Sequence, residues 1–67
     1  LFVYEREYKN QNLLVISNFT HDNVVYKLPE TYLNKLNYTI LETNYTRDII
    51  ENKMEIKPYE SIMIYYK

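Results

Sequence analysis

Few residues of this chain have the type and spacing that chemistry requires. Glu5 and Glu7 form a carboxylate pair. Two positions apart on one strand, they share a face with Cα atoms about 6.6–6.8 Å apart, which overlaps the separations at which paired carboxyls cleave glycosidic bonds. Such a pair works only where its surroundings drive the two acidities apart. A strand face beside the polar run Lys9-Asn10-Gln11-Asn12 is not expected to form a cleft, so both residues read as solvated or salt-bridged surface groups. His21 and Asp22 are adjacent. A base and its orienter must face each other and an activated nucleophile, and neighbours within the turn Thr20-His21-Asp22-Asn23 do not. With a single His and no Cys, neither a thiolate zinc site nor a disulfide framework can form. No catalytic, cofactor-binding or metal-binding residue is assigned, and a free-standing enzyme is the least favoured reading.

The nine tyrosines are the conspicuous excess. A Tyr ring stacks on a sugar or a base while its hydroxyl stays wet, and it fills a core equally well. Tyr is also a good strand former. Tyr8, Tyr26, Tyr38 and Tyr59 fall at alternating or corner positions and are expected in the core. Tyr4, Arg6, Tyr8, Tyr45 and Tyr65 are the residues expected on an interdomain or sugar-stacking surface. Arg6 shares a strand face with Tyr4 and Tyr8, which suits cation–π stacking, a buried ion pair or an anchor onto a larger neighbour. The triplets beginning at Asn18, Asn37 and Asn44 match the glycosylation pattern by chance. Asn18 and Asn44 read instead as side chains that bond backbone groups at strand ends.

The elements that position these residues are strands, because period-two alternation dominates. In Leu1–Tyr8, Phe2, Tyr4, Arg6 and Tyr8 share one face, and Leu1, Val3, Glu5 and Glu7 the other. The apolar run Leu13-Leu14-Val15-Ile16 suits a central strand covered on both faces. Val24, Tyr26 and Leu28 alternate with Val25 and Lys27 until Pro29, which cannot donate to a ladder and suits the first turn of a helix over Pro29–Leu33. Leu36, Tyr38 and Ile40 outline a fourth strand, Met54 and Ile56 a fifth, and Ser61–Tyr66 the last. Between them, 44–52 reads as a long loop able to hold one helical turn capped by Thr46. With no Gly in the chain, Asn is expected to occupy any left-handed turn position. Six short strands at this spacing predict an all-β fold, a small antiparallel Greek-key β-sandwich.

Size and charge narrow the function. A 67-residue chain is one domain with a marginal core. A net charge of −1 with interspersed signs gives no electrostatic support to nucleic-acid or anionic-membrane binding, which also disfavours a small barrel stacking single-stranded bases. No apolar stretch approaches the ~20 residues of a membrane helix. The start at Leu1-Phe2-Val3-Tyr4 reads as a strand already under way, so a longer polypeptide is expected upstream. A strand edge left bare by such an excision could pair with another copy. Absent Cys fits a cytoplasmic protein.

The order of landmarks resembles the C-terminal domain of bacterial glycoside hydrolases of the α-amylase superfamily, of the oligo-1,6-glucosidase, trehalose-6-phosphate hydrolase and α-glucosidase type. The landmarks are Val3-Tyr4-Glu5-Arg6, Leu13-Leu14-Val15-Ile16-Ser17-Asn18-Phe19, Leu28-Pro29, Thr43-Asn44-Tyr45 and Lys57-Pro58-Tyr59-Glu60-Ser61. Thr43 stands where Ser is commoner, and Ser61 where Ala is. The resemblance covers nearly the whole chain. It implies a parent enzyme that hydrolyses α-glucosidic bonds with two carboxylates on an upstream barrel, neither of them in this chain. Residues 1–67 would then be a non-catalytic accessory domain that packs on the barrel and stabilises it. The alternative is a carbohydrate-binding module that uses exposed Tyr rings. An accessory domain is expected to bare an apolar patch where its barrel sits.

Overall fold

The computed structural model describes residues 1–33, 37–47 and 49–67. Within them β1 (Phe2–Tyr8), β2 (Gln11–Ser17), β3 (Val24–Lys27), the helical turn α1 (Glu30–Leu33), β4 (Tyr38–Thr43), β5 (Lys53–Ile56) and β6 (Ser61–Tyr66) follow in order. The strands form two antiparallel sheets, one of order β1-β2-β6-β4 and one of β3 with β5. This is the all-β, two-layer architecture that the alternation predicts. Leu36 lies outside the described residues. The described part of 44–52 holds no helical turn at Thr46, contrary to expectation.

The first connection is a two-residue hairpin. Tyr8 pairs with Gln11, leaving Lys9 and Asn10 at the tip with φ of 48° and 64°. Positive φ at both central positions gives the primed turn whose twist matches the flanking strands. Contrary to the expectation, Asn does not carry every left-handed position, although Asn10 adopts one. Lys9 does too, as does Tyr59 (φ 56°) at the corner before β6.

The core lies between the layers. β2 contributes Leu14 and Ile16, β6 contributes Ile62, Ile64 and Tyr66, β5 contributes Met54 and Ile56, and Leu28 and Tyr32 close one end. Pro29 ends β3 as its missing donor requires, and its carbonyl accepts from the Tyr32 amide at 2.9 Å, starting α1. That single turn swings Tyr32 inward until its ring centroid is 4.7 Å from that of Tyr66. Tyr26 and Tyr38 pack partly buried against the core, as expected. Tyr8 and Tyr59 do not: they are 59 % and 58 % exposed. Tyr8 points to the face of the large sheet that β3 and β5 do not cover, and Tyr59 sits on the left-handed corner. An extra residue, Leu41, bulges from β4 between Ile40 and Glu42, which resets the pairing so that Thr43 still sits opposite Ile62.

Asn18 and Asn44 bond backbone groups, as their places at strand ends suggest. The Asn18 amide donates to the carbonyls of Asp22, Ile56 and Lys57, and its Oδ1 accepts from the amide and hydroxyl of Thr20. Asn44 Nδ2 donates to the Tyr59 carbonyl at 2.7 Å, and Asn44 Oδ1 accepts from the Ser61 amide at 2.8 Å. Asn18 thus clasps its own turn to the end of β5, and Asn44 clasps the loop after β4 to the start of β6.

Candidate functional site

The two-stranded layer covers one face of the four-stranded sheet and leaves the other bare. Because side chains alternate and the register is fixed by the buried set, the residues on the bare face follow directly. One row across the sheet runs Arg6, Leu13, Tyr65, Thr39, and the next Tyr4, Val15, Met63, Glu42. Beyond them Phe2 lies opposite Ser17, whose hydroxyl shares a hydrogen bond with that of Ser61 at 3.0 Å. The Phe2 ring leans on Phe19 at 6.3 Å between centroids, and Phe19 is itself 72 % exposed. Phe2 and Tyr4 are exposed, while Leu13, Val15, Met63 and Tyr65 are half-buried by their neighbours alone. The apolar run of β2 was expected to be covered on both faces; within this chain it is covered on one.

Four of the five residues expected on a binding surface come together here. Tyr4, Arg6 and Tyr8 line β1 on this face, and Tyr65 stands in the same row as Arg6, two strands away. Tyr45 is elsewhere. It lies in the loop after β4, half-buried, with its hydroxyl donating to the Pro58 carbonyl at 2.8 Å and the Lys57 ammonium 5.2 Å above its ring. Among the described residues Arg6 makes neither the cation–π contact nor the buried ion pair that its neighbours suggested. It is exposed and has no charged partner among the described residues. Phe19 is the member of this face that function-minded reading passed over; its signal was only its place directly after the apolar strand.

Glu5 and Glu7 point to the opposite side of β1, the side that overhangs the core. They are exposed, as expected, but the expectation that no concavity borders them is corrected. An open hollow of about 420 Å³ is lined by Glu5, Glu7, Asn12 and Thr31. Tyr32 donates to Glu5 Oε2 at 3.3 Å, and burial, followed by the Glu5 charge, raises the pKa of that phenol above its ordinary 10.0. The hollow offers neither a histidine nor a cation to pair with the carboxylates. His21 is exposed in its bend, and the Asp22 carbonyl, not its carboxylate, accepts from Asn18 and Thr20. Among the described residues no three of His, Asp and Glu gather as cation ligands, and no helix is long and apolar enough to cross a membrane.

The polar centre that the sequence did not reveal is Glu60. Its carboxylate is wholly buried and accepts from Arg47 Nε at 2.8 Å, Arg47 Nη2 at 3.2 Å and the Lys57 amide at 2.8 Å. Arg47 Nη2 also donates to the Glu55 carbonyl at 3.0 Å. Burial alone would raise the carboxyl, but these hydrogen bonds and the charges of Arg47 and Lys57 outweigh it and hold it below its ordinary 4.5. With three donors of its own fold on its two oxygens, Glu60 is a structural clasp.

Among the described residues, the face carrying Phe2, Tyr4, Leu13, Val15, Met63 and Tyr65 is left uncovered by the second sheet. Known proteins carry the same module. Residues 1–63 match the model of the alpha-amylase SusG C-terminal domain. The protein called "Probable oligo-1,6-glucosidase 2" of Bacillus subtilis (strain 168) is 38 % identical over 61 residues, which cover 91 % of this chain and 11 % of that protein. A palatinase of Erwinia rhapontici is 31 % identical over 64 residues, covering 96 % of this chain and 12 % of the palatinase. The chain thus spans only about an eighth or less of these relatives, and with the family model matched over nearly its whole length it belongs to the C-terminal domain family of the alpha-amylase-type glycosidases.

Proposed function

We propose that this domain performs no chemistry itself and docks, through the bare face of its four-stranded sheet, on the catalytic barrel of a glycoside hydrolase acting on α-glucosidic bonds, of the oligo-1,6-glucosidase kind, and so stabilises that barrel. The observation that carries this reading is the row-by-row continuity of Phe2, Tyr4, Leu13, Val15, Met63 and Tyr65 on one sheet face that no described strand covers. Contiguous apolar surface of this kind marks an interaction site. The accessible surface of 4899 Å² also exceeds, by roughly 300 Å², the ~4,600 Å² typical of a free-standing monomer of 8.3 kDa. The test is side-chain labelling by hydroxyl radicals in the full-length enzyme and in the isolated domain. Labelling of Tyr4, Met63 and Tyr65 falls in the full-length protein if this face is the interface, and the domain alone leaves α-glucosides intact. Equal labelling in both would refute the docking.

The same face supports a second reading, because Tyr4, Tyr8 and Tyr65 present three rings on one flat surface, an arrangement that suits stacking on a sugar chain. Titration of the domain with maltooligosaccharides, followed by tyrosine fluorescence, separates the two. A saturable change in the millimolar range favours the binding module.

A further inference from the structure

The apolar residues of the bare face share it with Ser17, Thr39 and Glu42 and, on its β1 edge, with Arg6. Arg6 stands on β1 directly opposite Leu13, flanked on its own strand face by Tyr4 and Tyr8. Glu5 and Glu7, its sequence neighbours, project to the other side of the strand. The acidic residue that shares its face, Glu42, lies in the adjacent row on β4, at the far edge of the sheet. Three inter-strand spacings put it about 14 Å away, beyond the reach of a salt bridge. Arg6 therefore has no counter-charge within the described residues. Exposed to water, that arrangement is comfortable. Once the face is covered it is not, because a guanidinium enclosed among Tyr4, Tyr8 and Leu13 loses its hydration and must regain hydrogen bonds from the covering surface. Its planar fork best fits a carboxylate, which it holds by two parallel bonds.

We propose that Arg6 is the polar key of the docking face, and that the catalytic domain covering it supplies an aspartate or glutamate side chain to the Arg6 guanidinium. The proposal rests on the docking reading above and adds the chemistry of the partner surface. The occupant is the remainder of the parent polypeptide, since relatives of this chain are some eight to nine times its length. An apolar face slides without much penalty. A single desolvated charge pair fixes its register and rejects a wrong one.

The test uses the full-length glycosidase. Arg6→Lys places an amine where the guanidinium was, and a zero-length carbodiimide then joins that amine to any carboxylate in contact. Peptide mass spectrometry is expected to find position 6 linked to an Asp or Glu outside the 67 residues. Arg6→Met keeps the stem and removes the charge; it is expected to make the domain sensitive to protease at a lower temperature and to abolish the salt dependence of that transition. Tyr65→Lys serves as the control for docking itself, being on the same face and away from the key. Loss of docking in Tyr65→Lys together with the crosslink supports the proposal. Loss of docking in Tyr65→Lys without a crosslink, or with Arg6→Met indistinguishable from wild type, overturns the key and leaves the docking face standing. No effect from any of the three overturns both.

Discussion

Removing the guanidinium of Arg47 should bring this domain to the edge of unfolding. The Glu60 carboxylate has no contact with solvent, and Arg47 makes two of the three hydrogen bonds to it. In Arg47→Ala the charge stays buried with the Lys57 amide as its remaining donor. Breaking a buried pair from one side costs about 3–5 kcal/mol. A chain of 67 residues has a total stability of only about 3–10 kcal/mol, so the loss is a third of it or more. Arg47→Met with Glu60→Leu removes both charges and should be milder than Arg47→Ala alone, although the Lys57 amide is then left without its acceptor. Urea unfolding followed by far-ultraviolet circular dichroism measures each variant. The pH dependence gives an independent check. The carboxyl is held below its ordinary 4.5 in the folded state, so the folded protein binds this proton less readily than the unfolded chain. Its contribution is complete above about pH 4.5 and is lost as the pH falls through the folded value. Glu60→Gln should therefore flatten the stability curve in that acid range. A loss below about 1 kcal/mol in Arg47→Ala, or an unchanged acid slope in Glu60→Gln, would show that the clasp does not support the fold.

Three further outcomes follow from single side chains. The Tyr66 hydroxyl is buried without a hydrogen-bond partner among the described residues, so Tyr66→Phe should be neutral or stabilising by about 1 kcal/mol in the same urea assay. Burial and the neighbouring tyrosines push that phenol up to about 12; stability should fall as the pH rises between its ordinary 10.0 and that value, and the substitution should remove part of this alkaline slope. Asn18→Ala withdraws donors from the carbonyls of Asp22, Ile56 and Lys57 at a buried corner and should cost about 2–3 kcal/mol or more, read from the urea midpoint. Lys9→Asn with Asn10→Gly fits both left-handed positions of the hairpin tip to their preferred residues and should raise the thermal midpoint, corresponding to about 1 kcal/mol.

Much of this domain was legible before any coordinates, and the reasons are local. Alternation placed each strand, because a two-residue period leaves no choice about which side chains share a face. Pro29 marked both the end of β3 and the start of α1, since one missing N–H forbids the ladder and suits the helix. Asn18 and Asn44 announced themselves as backbone binders by standing where strands end. The reading went astray where the deciding contact was distant. Tyr8 has the same alternation as a core ring, yet no described strand lies over its side of β1. Tyr32 sits in a short turn that no periodicity distinguishes, yet it is a core residue because that turn folds onto the end of β6.

What the sequence by itself determined is which residues could lie together on one strand face, and hence a two-layer β domain with an apolar surplus. Only the tertiary structure decided the sheet order β1-β2-β6-β4, and with it the side on which that surplus is left bare. It alone brought Arg47 to Glu60 and left Arg6 without a counter-charge among the described residues. The physical reason is that side-chain direction along a strand follows from backbone geometry one residue at a time. Pairing between strands and loops distant in the chain depends on how all the buried surfaces close at once, and no local pattern encodes that.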